Sequence, residues 1–317
     1  MTGVGNATDA AATLGGVSPA LPVAAIALRF DPLVHVGDRG IRADTLLIGT
    51  TALAALLLVA MLARATPPDR LGRRVRSDDL LFIALGVVPG AVIGARLGYG
   101  LLHLAFYQAD PTALLDPSQG GLELTGGVIG GLVTGAYVSG LLDAPVGRWA
   151  HVAALPLLFA IAGGKIAMAV GGSGQGRPLD AAWATAYLGP GPWGSLGPAV
   201  PSHPSQLYEA VVALVVLVVC LALVAGGQFR RRTGRLLVVA LGGWMLGRFA
   251  VAFTWRDETL LGPLRAEQLI LVAGLLGLGA AWILLGRRSS SRSQEPAGPD
   301  WPDPETARQW RRVGPPG

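Results

Sequence analysis

His203-Pro204-Ser205-Gln206-Leu207-Tyr208-Glu209-Ala210 runs directly into the apolar stretch Val211 to Val224. The octapeptide crowds a histidine, an amide, a phenol and a carboxylate together where a Gly/Pro-rich polar loop gives way to aliphatic residues. Pro204, followed by Ser205, predicts a helix start there, because the N–H that proline lacks is an orphan in the first turn anyway. The run that follows has close to the roughly 20 apolar residues that a hydrocarbon core demands of a spanning helix. The stretch therefore predicts a membrane helix with a reactive-looking cluster at its mouth.

Working outward, the composition agrees. Of the 317 residues, 51% are hydrophobic and only 14% charged, and the mean hydropathy is +0.51. These values point to an all-α polytopic membrane protein rather than to a large soluble core. Apolar runs at residues 44–63, 79–103, 122–142, 150–170, 205–226, 233–254 and 266–286 predict a seven-transmembrane-helix bundle with outer-face loops. The chain then divides into an N-terminal outer segment (1–42), a seven-span membrane domain (43–287) and a disordered cytoplasmic tail (288–317). Residues 19–42, broken by Pro22, Pro32 and Gly37, read as an interfacial segment too short to span.

The net charge of +5 rests almost wholly on arginine, since Lys165 is the only lysine. Arg64, Arg70, Arg73, Arg74 and Arg76 fall in one loop and Arg230, Arg231, Arg232 and Arg235 in another. Arg287 and Arg288 open the tail, while loops 104–121 and 171–204 are poor in arginine. The positive-inside rule places the amino terminus outside, the carboxyl terminus in the cytoplasm and His203 on the outer face. The same clustering in short loops accounts for a pI near 10.0 without a nucleic-acid partner. Cys220, alone in an apolar run, makes no intrachain disulfide.

Gly86, Gly90, Gly94 and Gly98 recur every fourth residue in the second span, and Gly127, Gly131 and Gly135 in the third. Such stripes let helix backbones approach closely in lipid and describe packing rather than chemistry. Charges inside spans carry more information, because each costs about 2.5–3.5 kcal/mol to insert and so faces an interior or a polar cavity. Arg96, Glu123, Lys165, Glu209 and Arg248 are in this class, with Arg256, Arg265 and Glu267 near the edges of the last two spans. Arg96, Lys165 and Arg248 come from three spans and suit an anion such as a lipid phosphate. Internal pairing, Arg96 with Glu123 or Lys165 with Glu209, is the plainer alternative. His203, with Tyr208 and Glu209 close by, is a candidate acid–base group. Tyr99 and Tyr208 near helix ends equally suit interface anchors. No metal-ligand spacing, P-loop or nucleophile elbow is present.

Taken in order, several stretches resemble the bacterial prolipoprotein diacylglyceryl transferase family over about residues 30–285. They are Phe30-Asp31-Pro32, Gly94-Ala95-Arg96-Leu97-Gly98-Tyr99, Gly126-Gly127-Val128-Ile129-Gly130, Gly164-Lys165-Ile166 through Gly176-Arg177-Pro178, the octapeptide, and Gly247-Arg248-Phe249. The resemblance implies a transferase at the outer face of the bacterial plasma membrane. It would move diacylglyceryl from phosphatidylglycerol, a membrane lipid, to the lipobox cysteine thiol of a preprolipoprotein signal peptide, releasing glycerol phosphate with no cofactor. Arg248 matches the family's phosphate-binding arginine, and Arg96, Tyr99, His203, Gln206, Tyr208 and Glu209 match further signature positions. Gly176 matches the signature glycine of the long outer loop. On this basis His203, Arg248 and Tyr208 are expected to be catalytic, and Arg96, Tyr99, Lys165, Gly176, Gln206 and Glu209 to bind substrate.

The sequence departs from the family pattern at five places. Thr125 stands where the third-span motif has histidine, and Lys165 and Met168 where the fourth-span motif has arginine and asparagine. Asp44 replaces a tyrosine at the start of the first span, and Ala252 an acid four residues after Arg248. Lysine keeps the charge but loses the bidentate fork, and threonine cannot act as a base near neutral pH. Two further readings stay open at this point. One is a repurposed family member that binds anionic lipid or a lipoprotein precursor. The other is a secondary transporter, which the absence of internal repeats disfavours.

Overall fold

The structure, a computed structural model, describes residues 25–68, 74–116, 121–230 and 232–291. Residues 1–24 and 292–317, which include most of the N-terminal outer segment and of the tail read as disordered, lie outside the described residues, as do Arg70, Arg73 and Arg231. The chain opens with strands β1 (Ile26–Leu28), β2 (Leu33–Val36) and β3 (Arg39–Arg42). It continues through α1 (Ala43–Ala65), α2 (Ser77–Leu102), the short α3 (Leu104–Ala109) with a 3-10 turn at Pro111–Leu114, α4 (Leu124–Leu141) and α5 (Val146–Val170). Strand β4 (Thr185–Tyr187) lies in the long loop before α6 (Ser205–Ala225). Helix α7 (Arg235–Val251) ends in a 3-10 turn at Ala252–Thr254, and β5 (Thr259–Leu261) and β6 (Leu264–Arg265) lead into α8 (Ala266–Ser291).

Seven of these helices, all except α3, are long and apolar enough to cross a membrane. The protein is an all-α polytopic membrane protein, with helix ends within a few residues of those expected from the apolar runs. Helix α6 starts at Ser205, and Pro204 sits just before it, its carbonyl accepting the Tyr208 N–H at 3.1 Å. The strands were not expected. The segment read as interfacial holds the hairpin β2–β3, turned at Gly37 with φ +60°, and β1, which pairs in parallel with β4. At three or four residues each, they are too short to show a period-2 pattern.

Two compact units emerge. Of the described residues, the first takes 25–58, 156–218 and 247–268, and so contains all three strand pairs, the loop 171–204, and one end each of α1, α5, α6, α7 and α8. The second takes the described residues within 59–155, 219–246 and 269–291, and contains α2 and α4 entire.

In the second unit the glycine stripes do what their spacing predicts. A β-carbon added at Gly94 would overlap the Gly126 carbonyl oxygen and stand 2.9 Å from Gly130 Cα; one at Gly130 would meet Gly94 Cα at the same distance. The α2 and α4 backbones touch directly there, a contact that only glycine permits. Gly127, Gly131 and Gly135 continue the seam against Ala95 and Val87. Overpacking of such a seam costs about 1–3 kcal/mol. Gly94→Val should therefore lose about that much stability in a detergent unfolding titration. Ile93→Val, at a neighbouring position that is 59% exposed, should stay within about 0.5 kcal/mol. Equal effects at the two positions would contradict the seam.

Candidate functional site

In the first unit α6 and α7 meet along one face of each. Ser205, Glu209 and Val212, spaced at i, i+4 and i+7, line up on α6. Ser205 Oγ lies 2.7 Å from Thr254 Oγ1, Glu209 pairs with Arg248, and Val212 fills the space left by Gly247, where a β-carbon would lie 3.0 Å from Val212 Cγ2. The middle rung carries the charge. Lys165 Nζ, from α5, stands 3.0 Å from Glu209 Oε2, the same oxygen that receives Arg248 Nη1. Arg248 Nε donates to Glu267 Oε1 at 2.7 Å, and Nη2 of the same guanidinium also contacts that carboxylate. Trp255 covers the guanidinium, its ring centroid 4.6 Å from Cζ.

Lys165, Glu209 and Arg248 are buried, and Glu267 is nearly so, with 12% of its side chain exposed. Two cations and two carboxylates thus form a balanced group, which is what burial demands of ionised side chains. Glu267 lies in the first turn of α8, where the helix dipole favours an anion. α5, which delivers Lys165, is the most enclosed span: half of its most apolar 18-residue window is buried, against 6% for α8.

Beside this group the loop 171–204 is pinned to the end of α7. Arg177 N donates to Thr254 O at 2.8 Å and its Nη2 to Phe253 O at 2.7 Å. Arg256 returns the contact, Nε to Gly176 O at 2.7 Å and Nη2 to Ser202 Oγ at 3.0 Å. Gly176 is wedged so tightly that a β-carbon would lie 2.9 Å from His203 Cβ and overlap Ser205 Oγ and Thr254 O. His203 is held at its backbone, N donating to Arg177 O and O accepting from Gly176 N. Its Nδ1 is buried with no hydrogen-bond partner. Burial, followed by the positive charge of Arg177, lowers the His203 pKa below the ordinary imidazole value, so the ring is neutral at pH 7. The Tyr208 ring stands edge-on to the imidazole, centroids 6.1 Å apart. Gln206 is fully buried, and its Nε2 donates to Tyr187 OH, which donates in turn to Ala169 O.

Two of the expected site residues belong to the second unit. Arg96 gives Nε to Leu114 O at 2.8 Å, Nη2 to Ala113 O and Asp116 O at 2.6 Å each, and Nη1 to Gly121 O at 3.2 Å. These bonds close the segment after α3. Tyr99 stacks on His103, ring centroids 4.0 Å apart. Thr125 is wholly buried, and Glu123 is the N-cap of α4 rather than part of the helix, its carboxylate accepting the Thr125 N–H at 2.5 Å and that of Gly126.

The structure therefore brings Lys165, Glu209 and Arg248 into direct contact and gathers Gly176, His203, Gln206 and Tyr208 around the α6 start. Sequence reasoning missed Glu267 as the second partner of Arg248, and Arg177 and Arg256 as the clamps of the loop. The signal for Glu267 was its place as an acid in a membrane-helix first turn. Arg256 was marked only as a charge near a span edge and Arg177 only by its place in the family-like stretch, and acceptors that are mostly backbone carbonyls gave no sign of the clamp. Among the described residues no three of His, Cys, Asp and Glu gather as a metal-binding set.

A family model described as prolipoprotein diacylglyceryl transferase matches residues 32–284. The chain belongs to that family. Among curated relatives, the phosphatidylglycerol–prolipoprotein diacylglyceryl transferase of Trichormus variabilis is 30% identical over 279 residues, covering 85% of this chain and 95% of the relative. That of Geobacter sulfurreducens is 31% identical over 225 residues, 69% and 83% of the two chains. That of Clostridioides difficile is 25% identical over 221 residues, 70% and 84%. The family match takes in six of the membrane-spanning helices entire, most of α8, and the whole charged group. Where the resemblance leads one to expect an acid at 252, buried Ala252 supplies none, and Glu267 of α8 holds Arg248.

Glu209 is the carboxylate that both buried cations share. Its neutralisation leaves them facing each other, and breaking a buried pair costs about 3–5 kcal/mol. Glu209→Gln should lose stability on that scale in denaturant unfolding. Gln206→Leu, which removes one neutral hydrogen bond of a buried side chain, should lose only about 1–2 kcal/mol. The reverse ranking would show that the ion group is not the stabilising feature.

Proposed function

We propose that the protein transfers the diacylglyceryl group of phosphatidylglycerol to the lipobox cysteine thiol of a prolipoprotein, at the outer face of a bacterial plasma membrane. Family membership supports the reaction class, and the relatives' names supply both substrates. The single observation that carries the assignment to residues is the convergence of Lys165 and Arg248, from two helices, on one oxygen of Glu209. Two buried cations already held by an anionic oxygen are preorganised for another, the phosphate of the donor lipid. The guanidinium offers a fork and Lys165 a point charge.

In this reading the thiolate sulfur attacks the glyceryl carbon that bears the phosphoester. A C–S bond forms as the C–O bond breaks, and glycerol phosphate leaves with the electron pair. Arg248 and Lys165 stabilise the charge that gathers on the departing phosphate. The thiol proton goes to a base. With Thr125 at the place of the family's third-span histidine, His203 takes that role, its ring being neutral at pH 7. Tyr208 limits the tilt of the imidazole. Glu209 and Gln206 position the cations and the loop, and Gly176 lets the loop close on His203. Arg96 and Tyr99 act through the segment they shape after α3. The topology follows the arginines: amino terminus outside, tail from 288 in the cytoplasm, and residues 43–287 as the membrane domain.

Purified protein in phosphatidylglycerol vesicles, given a lipobox peptide and read by mass spectrometry, tests the reading. The peptide should gain the mass of diacylglyceryl only when its cysteine is present. Arg248→Gln should lower the rate by about 10²–10³-fold and His203→Gln by about 10²–10⁴-fold, each rate taken per folded protein, since Arg248→Gln also removes the partner of two buried carboxylates. Full activity in both variants would overturn the roles.

The pH dependence follows from the depressed His203 pKa. The neutral base persists below the ordinary imidazole value, so the rate should hold through neutrality and fall only as pH drops through that lowered pKa. Arg177→Gln removes the positive charge that helps to depress it, and the acid limb should move to higher pH. An unmoved limb would exclude His203 as the titrating base.

A further inference from the structure

The second unit contains a cavity that the transfer reaction does not use. It lies where the start of α5 meets the loop after α6, has a volume of about 220 Å³, and is lined by His151, Val224, Ala225, Gly227, Gln228, Phe229, Arg230 and Arg232. The loop is brought there by glycine: Gly147, in the first turn of α5, has the Thr233 carbonyl so close that a β-carbon would stand 3.0 Å from its oxygen. Gly227, with φ +81°, lets Arg230 fold back, its Nη2 2.8 Å from where a β-carbon would be. Phe229 and Arg232 adopt positive φ as well, +60° and +47°.

The chemistry of the lining is one-sided. It holds two guanidinium groups and an imidazole, and no carboxylate. His151 Nδ1 is buried with no hydrogen-bond partner, and Arg148 and Arg232 both bring positive charge to bear on that ring. Like charges gathered around a buried orphan nitrogen repel one another until an anion joins them. The lining joins apolar Val224, Ala225 and Phe229 to the basic groups, a mixture that suits a boundary between acyl chains and headgroups. Guanidinium pairs favour phosphate, which they bind through parallel N–H···O bonds.

We propose that this cavity is a second anion site, for a phosphate or phosphoester group, held by Arg230, Arg232 and the ring of His151 and separate from the donor site. It sits on the face that carries the arginine-rich loops. Its occupant is either the headgroup of an anionic phospholipid or free phosphate, and it braces α5 against the loop between α6 and α7. The inference does not depend on the transferase reading.

The chain has four histidines, so ¹⁵N-histidine labelling gives few ring signals, and the His151 signals are assigned by their loss in His151→Gln. Full-length protein in detergent is titrated with dihexanoyl-phosphatidylglycerol, dihexanoyl-phosphatidylcholine, or inorganic phosphate against chloride at matched ionic strength. The His151 signals should move with phosphatidylglycerol or with phosphate, and hardly with phosphatidylcholine. Movement with inorganic phosphate marks a free-phosphate site, and movement with phosphatidylglycerol alone a headgroup site. In R230Q/R232Q the affinity should fall at least tenfold while lipid transfer in the vesicle assay is kept. If that pair does not fold, R230Q alone should show a smaller loss in the same direction. No movement with either anion, movement equal to that with phosphatidylcholine, or undiminished affinity in the variants would overturn the proposal.

Discussion

One carboxylate oxygen shared by two cations inside a membrane protein organises the first unit. Glu209 Oε2 can hold both Lys165 and Arg248 only if α5, α6 and α7 present those side chains at one depth, and Glu267 must come from α8 to balance the second positive charge. Any of these four groups left unpaired would cost several kcal/mol, so the group constrains four helices at once. The constraint also explains the local sequence. Ala210 and Ala213 of α6 and Ala252, in the turn after α7, are buried, and Gly247 gives Val212 room to close the interface. Small residues let the helices come near enough for the charges to meet.

The same group is suited to exchange one anion for another. Lys165 and Arg248 are already desolvated and aimed at an oxygen, so the proposed donor phosphate would need little reorganisation to take over part of what Glu209 provides. The departures from the family pattern fit this economy. Where the resemblance leads one to expect an acid at 252, Arg248 finds its second carboxylate on another helix, as Glu267. Asp44, where the family has tyrosine, pairs with Arg42 at 2.7 Å and faces Gly171 just past the end of α5. Arg42, held by Asp44, reaches the loop by donating to Gly171 O at 3.3 Å and Pro192 O at 3.1 Å. Met168, in place of asparagine, lies against Gly174 of the same loop.

Much of this was legible in the sequence, for identifiable reasons. The apolar runs marked all seven spans, because a bilayer imposes a length that no soluble core requires. The octapeptide marked the α6 start, and the Lys165–Glu209 pairing was one of two pairings the intramembrane charges allowed. The strand pairs were hidden by their brevity. Glu267 was hidden because 19 residues and a hairpin separate it from Arg248. Arg96 was read as an anion binder, and its four carbonyl acceptors left no trace, since backbone oxygens carry no residue identity. Glu123 was read as a charge inside a span; it is instead the N-cap of α4 and folds back onto the Thr125 N–H.

Because Lys165 is the only lysine, ¹⁵N-lysine labelling gives one side-chain ammonium signal, and it reports from the centre of the proposed donor site. The most direct test is to follow that signal while dihexanoyl-phosphatidylglycerol is added to the purified protein, with dihexanoyl-phosphatidylcholine as the control lipid. If the donor's phosphate joins Glu209 at the two cations, the signal shifts saturably with phosphatidylglycerol and the shift is lost in Arg248→Gln. A Lys165 signal that stays fixed while the protein binds and turns over phosphatidylglycerol would contradict the account, leaving the buried ion group as structure alone.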